Sequence, residues 1–128
     1  MAKLENAIGW FEIYVEDIER ATAFYEAVFQ LSLSRQKMGE KGPEMALFPH
    51  KHGGSGAAGA LIKMPQMRSP STDGALVYFS CDDCAEERSR AEAAGGQCWG
   101  EKFAIGDRGY IAIIIDSEGN QIGLISDQ

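Results

Sequence analysis

The chain has 128 residues, 45% of them hydrophobic and 24% charged, with a formal net charge of −7. This length suits one globular domain that buries about two-thirds of its unfolded surface, and no apolar run nears the roughly 18 residues of a membrane span. The acidity, 8 Asp/Glu in residues 1–64 and 11 in residues 65–128, disfavours nucleic acid and tolerates a cationic ligand, although solubility alone is its plainer account.

The opening MAKLENAIGWF holds a lysine but no apolar segment of signal-peptide length, which points to a cytoplasmic protein. Gly9 to Val15 alternates with period 2 and predicts a strand. Asp17 is a good N-cap for a helix whose buried stripe is Ile18, Ala21, Tyr25 and Val28. Short strands follow at Leu31 to Met38, Glu44 to Phe48 and Ala60 to Lys63, separated by glycine-bearing turns. Between the last two lies PHKHGGSGAAG (49–59), expected to be a loop bordering a cavity mouth. Its His50 and His52 form an H-x-H pair with no acidic or cysteine ligand nearby in sequence, and the spacing of a phosphate loop is absent.

Residues 64–73, MPQMRSPSTD, contain two prolines and read as a linker. Beyond it, VYFSCDDCAEERSRAEAAGG (77–96) repeats the strand, acidic cap and helix, with Gly95-Gly96 as the helix stop. Strands are then predicted at Gln97 to Phe103, Tyr110 to Ile115 and Gln121 to Ile125. DSEGN forms the last turn, where Gly119 or Asn120 suits positive φ. Placing Val15 on Cys81 aligns Asp17 with Asp83 and Ile18 with Cys84, an offset of about half the chain. Such an internal duplication implies two similar units packed by pseudo-symmetry. The expectation is a single α+β domain over 1–128, built from βαβββ twice with eight strands: unit one 7–64, linker 64–73 and unit two 74–126.

Cys81-Asp-Asp-Cys84 is a C-x-x-C at a strand-to-helix junction, where a thiol pKa could fall. The duplication matches both cysteines to core residues, and flanking aspartates oppose thiolate formation, so buried inert thiols are expected. With Cys98 the count is odd, as suits reduced thiols. Phe48, Trp99, Phe103 and Tyr110 are assigned mostly to the core, with one or two lining a pocket.

FEIYVEDIERATAFYEAVF, GALIKMP and AEAAGGQCWGEKFAIGDRGYIAIIIDSEGNQIGL, together with the duplication, resemble the vicinal oxygen chelate superfamily. That group contains glyoxalase I, bleomycin-resistance proteins and extradiol dioxygenases, and the resemblance covers nearly the whole chain. It implies two βαβββ units whose sheets curl around a cavity, often completed by homodimerisation. Metal-using members carry a His, Gln or Glu on the first and last strand of each unit. Carried over, those sites fall at Trp10, Leu76, about Ala60 and Gly123, none of which ligates through its side chain. No metal and no cofactor are therefore expected.

If Trp10 faces the cavity, period 2 adds Glu12 and Tyr14, and the second unit offers Leu76, Tyr78 and Gln121. These are the candidate ligand-binding residues. Glu12 is also the candidate catalytic group, because a carboxylate in GWFEIYV is costly to bury without a partner. It is either a ligand contact or general base, or a structural carboxylate bonded to backbone or Tyr78. Two functional classes follow. One is a homodimeric binding protein taking a small apolar or aromatic molecule in a metal-free cavity. The other is an enzyme: a metal-dependent lyase, isomerase or dioxygenase with atypical ligands (Glu12, His50, His52), or one using Glu12 as acid/base.

Overall fold

The computed structural model describes residues 8, 10–37, 40–66, 68–72 and 76–128. Gly9 and Met38, at the ends of two predicted strands, and residues 67 and 73 of the predicted linker lie outside the described residues.

The first unit runs β1 (Trp10–Tyr14), α1 (Ile18–Phe29), β2 (Ser34–Lys37), β3 (Glu44–Leu47) and β4 (Ala58–Lys63). The second repeats it with β5 (Val77–Ser80), α2 (Cys84–Arg90), β6 (Gln97–Ala104), β7 (Tyr110–Ile115) and β8 (Gln121–Ser126). Each unit forms a four-stranded sheet, ordered β1-β4-β3-β2 and β5-β8-β7-β6. The first strand of each lies parallel to the last, and the other pairs are antiparallel. The duplication read from the sequence is thus a duplication of topology.

Both helices start where an aspartate leaves its carboxylate free to cap. Asp17 accepts from the Arg20 N–H at 3.0 Å, and Asp83 from the Ala85 N–H at 3.0 Å. Ile18, Ala21, Phe24, Tyr25 and Val28 form the buried stripe of α1. The second helix is shorter than its pattern suggests, ending at Arg90, with turns carrying the chain to Gly95 at φ 102°. Gly96 then packs against the Ile115 carbonyl and the Phe24 ring, leaving no room for a Cβ.

One core serves both units, joining Ile13, Phe24 and Leu61 to Cys84, Ile114 and Leu124. Its centre is aromatic: Phe29 lies 4.7 Å from Phe79, and Tyr25 meets Phe48 edge-on at 5.5 Å between centroids. The Tyr25 hydroxyl, fully buried, donates to Asp116 at 2.7 Å. Among the described residues no helix is long and apolar enough to cross a membrane.

The assignment of aromatics to the core is corrected here. Phe48 is buried, but Trp99, Phe103 and Tyr110 are exposed. The registers give the reason. Trp99 pairs with Ile113, Ile113 with Gly123 and Gly123 with Tyr78, so these four form one row on the face away from the core. Phe103 lies in the next row with Ile111, Ile125 and Ser80.

Candidate functional site

The exposed face of β1 alternates as the sequence requires: Trp10, Glu12 and Tyr14 point one way, while Phe11 and Ile13 turn to the core. Glu12 is exposed rather than buried, and its partners are not those expected. The Trp10 indole N–H donates to Oε2 at 3.1 Å and the Tyr14 hydroxyl to Oε1 at 2.5 Å. Residues two apart on a strand share a face, so the strand itself orients the carboxylate. That hydrogen bond to Glu12 is the main reason the Tyr14 phenol titrates above its ordinary range, with desolvation second.

Glu12 stands between two depressions. The larger, a groove of about 760 Å³, runs between β1 and β5 and is lined by Trp10, Glu12, Phe48, Leu76, Tyr78 and Phe79. Trp10 (44% exposed), Leu76 (38%) and Tyr78 (42%) present their side chains to it. Pro49 and Ser55 to Ala57 border the groove, so the 49–59 loop sits at its edge as predicted. The smaller depression, about 420 Å³, is lined by Glu12, Tyr14, Arg68, Asn120 and Gln121. The six candidate residues therefore divide, with Trp10, Leu76 and Tyr78 on one side, Tyr14 and Gln121 on the other, and Glu12 shared.

Three residues of this neighbourhood escaped the sequence reading. Arg68 lies over the Tyr14 ring, 5.8 Å from its centroid. Asn120 donates to the Tyr14 carbonyl at 2.9 Å and accepts from the Ser71 N–H at 2.8 Å, anchoring the smaller depression. Glu118 is buried and accepts from Arg20 Nε at 2.6 Å and from the Glu16 and Asp17 amides at 3.0 and 2.8 Å. For Asn120 and Glu118 the available signal was the density of polar groups in DSEGN, more than a hairpin turn needs.

The metal positions implied by the resemblance offer no donor set. Ala60 pairs with Glu12 and Gly123 with Tyr78, so the first-strand neighbours of the two last-strand sites are a carboxylate and a phenol. A Cβ at Gly123 would overlap the Tyr78 ring, so the space beside it is filled by an aromatic side chain. The atypical set of Glu12, His50 and His52 is not brought together: both histidines are exposed and neither lines the groove. Among the described residues no three His, Cys, Asp or Glu gather at one point. These residues do not fit a divalent cation held by protein ligands. The C-x-x-C thiols are not poised as nucleophiles. Cys84 is buried, and burial, then Glu87, push the half-buried Cys81 thiol up to about 12.

Comparison with known proteins follows the same lines. The family model described as the Glyoxalase/Bleomycin resistance protein/Dioxygenase superfamily matches residues 7–124. The chain belongs to this superfamily. Within the superfamily it is 31% identical over 121 residues to CFP32 of Mycobacterium bovis and Mycobacterium tuberculosis, which carries a provisional name as a glyoxylase. The match takes in 92% of this chain but only 44% of CFP32, so the chain spans less than half the length of those relatives. Superposition on TnmS3, an antibiotic binding protein from Streptomyces sp. CB03234, gives a TM-score of 0.67 at 25% identity, covering 98% of this chain and 100% of that one. A glyoxalase family protein from Bacillus cereus gives 0.71 at 22% identity, covering 98% and 97%. The superfamily fold, two βαβββ units that each form a four-stranded sheet and share one core, is the fold of this chain.

Proposed function

We propose that this chain is a ligand-binding member of the superfamily, taking a small aromatic or apolar molecule into the groove between β1 and β5 without a metal or other cofactor. The observation that carries this is the groove itself: about 760 Å³, with Trp10, Leu76 and Tyr78 exposed on its walls. The donor-poor positions at Ala60 and Gly123 support a metal-free site. The TnmS3 likeness supports binding as a function this architecture can carry. A bound ligand raises the melting temperature by mass action. In a thermal-shift screen of aromatic compounds, hits should stabilise the wild type by several degrees and Trp10→Ala or Tyr78→Ala by much less. A broad screen with no shift removes the reading.

We propose further that the protein is a homodimer and works in the cytoplasm. Support for the dimer is the apolar face left open on the second sheet, where Trp99 and Phe103 are each more than half exposed. A monomeric mass in solution at micromolar concentration counts against the dimer.

A second reading assigns Glu12 to proton transfer. Its support is the short hydrogen bond to Tyr14 at the junction of the two depressions, with Arg68 beyond the phenol. Under that reading Glu12→Gln abolishes turnover of a substrate it still binds. Under the binding reading the protein has no turnover to lose.

A further inference from the structure

The groove carries one formal charge, and that charge decides what it takes. Of the described residues lining it, Glu12 is the only carboxylate, and no Lys, Arg or His is among them. The remaining walls are aromatic, aliphatic or small, with the serine hydroxyls as the other polar side chains besides the Trp10 N–H and the Tyr78 hydroxyl. Arg68 lies over the Tyr14 ring and lines the smaller depression, not the groove.

Geometry adds to charge. Each oxygen of the Glu12 carboxylate already receives one hydrogen bond, Oε2 from Trp10 and Oε1 from Tyr14. A carboxylate oxygen accepts about two, so each retains capacity for a donor arriving from the groove. The two internal bonds fix the direction of the carboxylate and lower the entropy lost when a ligand engages it. The exposed rings of Trp10 and Tyr78 line the same groove, and their π-faces attract a cation while their area suits a flat apolar body. An anionic ligand would meet the Glu12 carboxylate with no cation among the described residues that line the groove.

We infer that the ligand of the groove is a protonated amine carried on an aromatic or flat apolar body, its ammonium on Glu12 and its body between Trp10 and Tyr78. This deepens the binding reading and rests on it. It makes Glu12 the specificity-determining residue rather than a catalytic one. The overall charge of −7 acts in the same direction, raising the local concentration of cations.

Three matched probes test it by calorimetric titration: naphthylmethylamine, naphthylmethanol and naphthoic acid, which differ in charge but little in shape. The amine should bind the wild type about tenfold tighter than the alcohol, the scale of one charge-assisted hydrogen bond, and the acid should bind weakest. The advantage of the amine should shrink as salt is added. Glu12→Gln should bring the affinities of amine and alcohol within about twofold of each other. Glu12→Asp should keep part of the preference, which separates charge from any effect on folding. Equal affinity of amine and alcohol for the wild type overturns this inference and leaves the binding reading standing. So does a preference that survives Glu12→Gln. If none of the three binds while the thermal-shift screen has hits, the inference falls alone; if the screen is also silent, the binding reading falls with it. If, in addition, Trp10→Ala converts a dimer to a monomer, the groove is an interface between copies of the chain.

Discussion

Gly123 is the residue at which sequence and structure say different things about one position. By resemblance it marks a missing metal ligand, yet the space beside it belongs to Tyr78, its direct cross-strand partner. Tyr78 lies against the bare backbone of β8, and only glycine permits that approach. A methyl group at 123 must displace the ring from near its root, which no end-of-chain adjustment relieves. Gly123→Ala should therefore cost about 1–3 kcal/mol. Combining it with Tyr78→Ala should recover most of that loss, so the double variant is more stable than the two separate effects predict. Urea midpoints for the four proteins measure the coupling, and strict additivity would show that the ring is not the obstacle. On the same grounds Gly123→Glu should not create a metal site, because the new side chain meets the phenol ring first.

At the scale of elements, DSEGN does more than turn the chain. Asp116 accepts from the Glu118 and Asn120 amides at 2.8 Å each and from the Tyr25 hydroxyl. Asn120 holds the end of β1 through the Tyr14 carbonyl and the linker through Ser71. Asn120→Ala removes the donor to a part-buried carbonyl and should destabilise by about 1–3 kcal/mol. Asn120→Asp should not rescue it, because a carboxylate cannot donate to Tyr14; urea denaturation of both variants is the check. The eight strands and two helices were legible because period, cap and turn residues are local signals, and β7 was placed to the residue. The ties of this turn were not, because its partners stand 49 to 106 positions away in the chain, and sequence shows a side chain's chemistry without its neighbour. The same limit hid the exposure of Trp99 and Phe103: an apolar residue on a strand reads alike whether it faces a core or an open sheet. At the site, Trp10 and Tyr78 followed from alternation once one face was assigned. Arg68 sits in a linker without periodicity, and nothing local marked it.

The whole molecule is two copies of one unit that cannot separate, since their helix-side faces make a single core and the last turn of one copy caps the first helix of the other. Glu118 is the centre of that second tie, and it makes stability depend on pH with a definite sign. Burial pushes its carboxyl up, but the hydrogen bonds from Arg20, the Asp17 and Glu16 amides and Ser117 outweigh it, so the group titrates below its ordinary 4.5. A carboxyl with a depressed folded pKa binds protons more readily when the chain unfolds. Its contribution is fully present above about pH 4.5 and is lost as the pH falls through the lower, folded value. Glu118→Gln removes the titration and the charge that faces Arg20, and should cost about 2 kcal/mol at neutral pH. Acidified below pH 4.5, the wild type should lose stability faster than the variant, so that their difference narrows. Urea midpoints for both proteins from pH 7 downward test this. A parallel decline would move the acid sensitivity elsewhere, first to Asp83, whose carboxyl the Lys102 ammonium holds below its usual range at the cap of α2.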